Sequence, residues 1–244
     1  MRIGELSFVR SICDLAEIPD GKIRINTMYA YSFTVAQKDA VFENAVRSGD
    51  FLTPDGQSIV WAARFLGLPN APQERIAGWD LFVFEMNRVQ REAEAAGERR
   101  KVMFMGSSEK VLGLIRERAA VDYPLLDVVT YSPPYKAEFS DEDNRLIISA
   151  INAAGPDLLW IGMTAPKQEK WAYEHWAELD IHCHCGTIGA VFDFYAGTVK
   201  RAPLWMQKAG LEWLHRLLSN PGRLWKRYLV GNLRFILLVL KEKL

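Results

Sequence analysis

From Lys101 to Cys185 short apolar runs alternate with stretches of helical length, and this rhythm leaves few folds open. Val102–Met105, Leu126–Thr130, Leu158–Ile161 and Ile181–Cys185 read as strands, with helices over Glu109–Ala120, from Ser140 to Ala154 and after Pro166. Apolar runs without polar alternation fit strands covered on both faces. Strands and helices alternating at this length argue for right-handed βαβ units in a doubly wound, largely parallel sheet. Ser140 with Asp143 reads as a capping box, Asp replacing the usual Glu.

Asp157 to Trp176 is the most informative stretch. An apolar run, Leu158-Leu159-Trp160-Ile161, ends in a turn over Gly162–Thr164. Pro166 suits the first position of a helix, where its missing N–H is no loss. Lys167, Gln168, Glu169 and Lys170 crowd that helix's first turn. Ligands of open parallel sheets bind at the carboxyl ends of the strands, and free N–H groups at a helix start favour anions. A phosphorylated ligand is expected here; the alternative is an ordinary strand-loop-helix with a solvated first turn.

The N-terminal part is less regular. Residues 1–25 read as short strands around Pro19-Asp20-Gly21, leading into Asn26-Thr27. Ser32–Ser48 reads as one amphipathic helix closed by Gly49, with Phe33, Ala36, Ala40 and Val41 on its apolar side. Further helices are expected over Ser58–Leu66, stopped by Gly67, and from Asp80 to about Ala96.

The chain has 30 Lys and Arg against 30 Asp and Glu, but the balance conceals an asymmetry. From Gly197 onward ten basic residues meet only Glu212 and Glu242, so the tail carries +8 and the preceding residues −8. Pro203–Leu218 reads as one helix and Arg223–Leu244 as another, separated by Pro221-Gly222. In the second, Arg223, Arg227, Arg234 and Lys241 share a face, beside an apolar face of Leu229, Leu233, Ile236 and Leu240 with Trp225 nearby. A basic stripe, a wide apolar face and an interfacial Trp suit an anionic membrane surface. The alternative is a C-terminal helix packed on the body with solvated Arg side chains. The longest apolar run, Phe235–Leu240, is too short to span a bilayer, and the N-terminus lacks a signal-peptide pattern. Cys13, Cys183 and Cys185 fit a reducing compartment better than a disulfide framework.

Asp55, in Thr-Pro-Asp-Gly, follows a short apolar segment and precedes a helix. It is either a general base, if partly desolvated, or a turn residue. Arg75, between a Pro-bearing loop and a Gly, either holds a diphosphate or faces solvent. Gln168 can exchange hydrogen bonds but cannot act as a base. His182-Cys183-His184-Cys185 resembles a metal set, but two-residue alternation sends the His and Cys pairs to opposite faces. Asp141-Glu142-Asp143 lies in a helix's first turn, where acids are expected without a metal. Phosphate-binding Gly-rich loops and a Gly-x-Ser-x-Gly elbow are absent from the sequence.

Several motifs, in one order over nearly the whole chain, resemble the WecG/TagA/CpsF family of bacterial glycosyltransferases. They are Asn26-Thr27; Pro54-Asp55-Gly56; Glu74 to Asp80; Ala165 to Trp171; Gly189 to Gly197; Lys200 to Pro203; and Gly210 to Leu214 with Arg216. Two positions depart from the common pattern: Tyr29 follows Thr27-Met28, and the Tyr131–Tyr135 loop differs.

The resemblance implies an inverting, metal-independent, β-forming transfer of a sugar from a UDP-sugar to a polyprenyl-diphosphate-linked glycan, without cofactor. The setting would be cell-surface polysaccharide biosynthesis at the cytoplasmic membrane face. The donor sugar would be of the N-acetylmannosamine type or another hexose. By motif, Asp55 would be the base, Arg75 and Gln168 would contact the donor, and Asn26 and Thr27 would shape the acceptor side. Gly106, Tyr135, Lys167 and Asp193 would line the substrate site, with Arg216, Arg223 and Arg227 closing over the diphosphate. The expected architecture is a Rossmann-like α/β catalytic domain over residues 1–202 and a basic helical membrane-associating appendage over 203–244. Rival readings are a UDP-glucose-type hexosyltransferase of exopolysaccharide assembly and a non-catalytic UDP-sugar-binding subunit. The membrane surface is the expected macromolecular partner, with a homo-oligomer possible and no nucleic acid.

Overall fold

The apolar runs form one sheet in which all pairings are parallel. The computed structural model describes residues 1–244, apart from the side chain of Arg223. The strands are β1 (Ile23–Met28), β2 (Phe51–Pro54), β3 (Arg100–Gly106), β4 (Leu126–Tyr131), β5 (Leu158–Gly162) and β6 (His184–Thr187), in the order β2-β1-β6-β5-β3-β4. The helices around them are α1 (Ala30–Ala36), α2 (Ala40–Arg47), α3 (Gln57–Leu66), α4 (Gly78–Ala96), α5 (Glu109–Asp122) and α6 (Asp141–Ala154). They continue with α7 (Lys167–Glu174), α8 (Gly189–Tyr195), α9 (Leu204–Lys208), α10 (Glu212–Ser219), α11 (Pro221–Trp225) and α12 (Gly231–Lys243).

Alternate residues of β3 and β5 face opposite sides. Val102, Phe104, Leu158 and Trp160 pack with Leu81, Met86, Leu112, Ile115 and Val191 of α4, α5 and α8. Met103, Met105, Leu159 and Ile161 meet Ile147 and Ile151 of α6 and Trp171 and Ala172 of α7. Helices thus cover both faces, as the sequence rhythm requires. Helix α5 leaves β3 on one face and α7 leaves β5 on the other, so this pair is the switch point where the ligand crevice of an open parallel sheet is expected. Gly106 and Gly162 are partners there. A Cβ on Gly106, whose φ is 122°, would lie 2.2 Å from the Gly162 carbonyl oxygen, so the strand end admits only glycine.

Several local expectations need correction. The first strand begins at Ile23; Ile3–Glu5 is a single 3₁₀ turn and Ile12–Glu17 a two-turn 3₁₀ helix, its start held by Asp14 accepting from Ser11 N at 3.1 Å. The helix expected over Ser32–Ser48 is two helices, because the Asp39 carboxylate accepts from Phe42 N at 3.0 Å and caps a fresh start. The last strand is His184–Thr187, later than Ile181–Cys185, since its register is set by β1 and β5 on either side. Gly186 makes room for the Trp160 ring, which a Cβ would meet at 2.2 Å. Pro166 stands just before α7 rather than as its first residue. The Ser140–Asp143 capping box forms as read.

The tail departs most. Gly210, at φ 72° and backed by Gln57, splits the helix expected over Pro203–Leu218 into α9 and α10. The final helix starts at Pro221 instead of Arg223 and passes through a π-turn at Lys226–Val230. Phe235 and Val239 of α12 enter the cluster of Phe33, Ala36 and Ile59, with Phe235 edge-on to Phe33 at 5.6 Å. The opposite face turns outward: Leu229, Leu233, Ile236 and Leu240 are 45–60% exposed. The tail's two acids fasten it to the body. Glu242 accepts from Ile3 N and Gly4 N at 2.8 and 2.7 Å, and Glu212 binds Arg75.

Candidate active site

Every strand ends on the same edge of the sheet, and part of the expected set, Asp55, Arg75 and Gln168 among it, lies along that edge. Asp55 follows β2, its N–H donating to the Met28 carbonyl at 2.8 Å, which holds the turn against β1. Burial lifts the Asp55 pKa from 3.8 to about 6, against the pull of Arg75 and Arg216; Glu212 and Asp80 add to the rise. A carboxylate so placed is ionised at neutral pH yet basic enough to take a proton.

Arg75 is not a bare cation. Its guanidinium donates to Glu212 at 2.9 Å and lies 4.0 Å from Asp80. Glu212 also accepts from Arg201 at 3.3 Å, and these cations hold its pKa low although burial opposes them. Arg201 sits over the Trp79 ring at 5.0 Å, and Arg216 over Phe194 at 5.6 Å. Among the described residues, three guanidinium groups (Arg75, Arg201, Arg216) therefore stand against three carboxylates (Asp55, Asp80, Glu212), a balanced cluster that gains net positive charge when Asp55 accepts a proton. Sequence reasoning missed Glu212 and Arg201 as site residues. The available signal was a lone acid in a strongly cationic segment.

A second cluster lies where β1, β5 and β6 end. Gln168 is buried and its amide is committed: Oε1 accepts from Met163 N at 3.2 Å and Gly189 N at 3.0 Å, and Nε2 donates to Glu169 at 2.9 Å. It locks the ends of β5 and β6 together, and a Cβ on Gly189 would strike the Met163 carbonyl oxygen at 1.8 Å. Glu169, also missed, is 2% exposed, and burial raises its pKa from 4.5 to about 7. Its signal was spacing: Gln168 and Glu169 stand three residues before the apolar Trp171 and Ala172, on the inward side of α7.

Tyr29 joins the clusters. Gly56 abuts it, and the charges of both Asp55 and Glu169 act on its phenol, which burial keeps neutral well above the usual range. Arg227 donates to the Tyr29 hydroxyl and stacks on Tyr29 at 4.8 Å and Tyr31 at 5.4 Å. The departure at position 29 thus receives a tail cation.

The remaining candidates scatter. Asn26 is fully buried, donating to the Ala45 carbonyl at 3.0 Å and accepting from Thr187 at 3.1 Å, so its amide serves the frame. Thr27 is buried beside Thr53. Gly106 closes β3 beside Gly162, whereas Tyr135 stands fully exposed beyond β4. Lys167 donates to the Lys136 carbonyl at 2.6 Å and covers Phe139. Asp193 accepts from Thr198 at the end of α8. The side chain of Arg223 lies outside the described residues. Of the metal-like motifs, Cys183 and Cys185 face the α6–α7 side, while His184 lies 3.1 Å from Glu85 on the other. Asp143 is taken by Ser140 and Lys136.

Comparison with known proteins identifies the family. The family model described as "Glycosyl transferase WecG/TagA/CpsF family" matches residues 2–244. A protein of Bacillus spizizenii (strain ATCC 23059 / NRRL B-14472 / W23) is 31% identical over 208 residues, covering 85% of this chain and 75% of its own. One of Bacillus subtilis (strain 168) is 32% identical over 208 residues with the same coverage. Both are named N-acetylglucosaminyldiphosphoundecaprenol N-acetyl-beta-D-mannosaminyltransferase. Matched from end to end by the family and by these relatives over most of its length, the chain belongs to the WecG/TagA/CpsF family of glycosyltransferases.

Proposed function

We propose that this glycosyltransferase moves an N-acetylmannosamine-type sugar from a UDP-sugar to a polyprenyl-diphosphate-linked glycan, with inversion and without a metal. The observation that carries the reading is Asp55, a half-buried carboxylate with a pKa near 6 beside guanidinium groups. The names of the two relatives support the acceptor and the sugar.

In the step, the acceptor hydroxyl oxygen bonds to the anomeric carbon while its proton passes to Asp55. The bond from that carbon to the diphosphate oxygen breaks on the opposite face, and UDP leaves with the electron pair. Arg75, Arg201 and Arg216 stabilise the charge that grows on the diphosphate. Taking the proton shifts the cluster toward positive charge as the leaving group becomes more negative, so the two changes support each other. The nucleotide occupies the β3–β5 crevice, at the start of α7.

The lipid acceptor implies work at a membrane surface, on the cytoplasmic side. No helix among the described residues is long and apolar enough to cross a bilayer. The outward apolar face of α12, flanked by basic residues, supports peripheral binding by the 203–244 segment. The test is to incubate the protein in EDTA with a panel of UDP-sugars and a short-chain polyprenyl-diphosphate-N-acetylglucosamine. One donor should give a glycolipid whose new linkage is β; UDP binding without product from any donor would refute the catalytic reading.

A further inference from the structure

Buried polar groups almost always have partners, so an orphan in a closed site requires an explanation. Among the described residues, Glu169 Oε2 and Arg227 Nε are both buried without a hydrogen-bond partner. They belong to one neighbourhood: Arg227 holds the Tyr29 hydroxyl, and the charge of Arg227 acts on Glu169. Glu169 Oε1 is engaged by Gln168 and Arg227 Nη2 by Tyr29. The buried atoms of this pair left without a partner are one acceptor and one donor. That pair matches a hydroxyl, which donates through its hydrogen and accepts through its oxygen.

Position selects the bound molecule. Strands β6 and β1 lie between β5, which borders the nucleotide crevice, and β2, which carries Asp55. A donor with its nucleotide in that crevice and its anomeric carbon near Asp55 lays its sugar across the ends of β6 and β1, beside Tyr29. We propose that Glu169 Oε2 and Arg227 Nε form a hydroxyl-binding subsite for the donor's sugar, the sugar O–H donating to Glu169 and its oxygen accepting from Arg227. This inference rests on the glycosyl-transfer reading above. It makes Glu169 a specificity residue, because a site built to bond a hydroxyl penalises a sugar that lacks or misplaces it.

The test compares UDP with UDP-N-acetylmannosamine by titration calorimetry at about pH 8, using the full chain and Glu169→Gln. The amide oxygen keeps the bond from Gln168, which turns an N–H toward the Arg227 Nε–H and the sugar, a donor where an acceptor is needed. The UDP-sugar should bind about tenfold or more weakly to the variant while UDP affinity is unchanged, since a charged hydrogen bond is lost. Glu169→Asp, which keeps the charge but draws the carboxylate back from the sugar, should give the same selective loss and serves if the first variant does not fold. Equal affinity of parent and variants for the UDP-sugar would overturn the subsite and leave glycosyl transfer standing. A parallel loss for UDP itself would also overturn it, making Glu169 a frame residue. A parent that binds neither compound would overturn both readings.

Discussion

Replacing Asp55 with Asn should stabilise the protein while removing its turnover, and the two effects have one origin. Burial raises the Asp55 pKa from 3.8 to about 6, so folding favours the protonated acid. The sign follows: the stability that this acid contributes is present below pH 4 and is lost as the pH rises toward 6. At neutral pH and above, holding the ionised carboxylate in place costs about 3 kcal/mol at 1.36 kcal/mol per pH unit. Solvent reaching the half-buried group reduces this to about 1–2 kcal/mol. Asn is nearly the same size and carries no charge, so the Asp55→Asn variant should melt about 2–8 °C higher at pH 8 in a chain of this length. Near pH 4 the advantage should vanish, because the parent is then protonated too. Scanning calorimetry of both proteins at the two pH values measures the difference. An equal melting temperature at pH 8, or the same gain at both pH values, would show that Asp55 bears no desolvation cost and refute the reasoning.

Other consequences follow from the same contacts. The profile of kcat/KM against pH should fall on the acid side near pH 6 as Asp55 protonates, and Glu212→Gln should move that limb lower, because Glu212 raises the Asp55 pKa; an unmoved or raised limb would contradict the cluster. Gly189→Ala should cost about 3 kcal/mol or more in a denaturant titration, since the added methyl would lie 1.8 Å from the Met163 oxygen. Phe235→Ala should cost about 3–4 kcal/mol by opening a hole against Phe33. Ile236→Glu, on the outward face of the same helix, should leave stability within about 0.5 kcal/mol but weaken sedimentation with anionic vesicles.

The frame was legible because its signals are local and repeated. Apolar runs at β3, β4 and β5, the Ser140–Asp143 box and the glycine stop at Gly67 each say the same thing as the fold around them. Breaks inside amphipathic stretches were not legible: Asp39 reads as a surface acid until its carboxylate is seen capping α2, and Gly210 reads as a tolerated helical glycine until Gln57 is seen behind it. The Asp55–Arg75–Arg216 grouping could be named by motif, but its charge balance could not, because Glu212 comes from a helix 137 residues beyond Arg75 in the chain. Gln168 and Glu169 show the limit most plainly. Adjacent polar residues in a helix's first turn look solvated, and only the packing of α7 on β5 and α2 reveals that both are buried.

The central claim is that Asp55 takes the acceptor's proton, and the direct measurement is single-turnover transfer by the Asp55→Asn variant beside its affinity for UDP. With EDTA present and polyprenyl-diphosphate-N-acetylglucosamine as acceptor, the account predicts UDP binding within about twofold of the parent and a transfer rate about 10²–10⁴ lower. A variant that binds UDP normally and still transfers at close to the parent rate would contradict it.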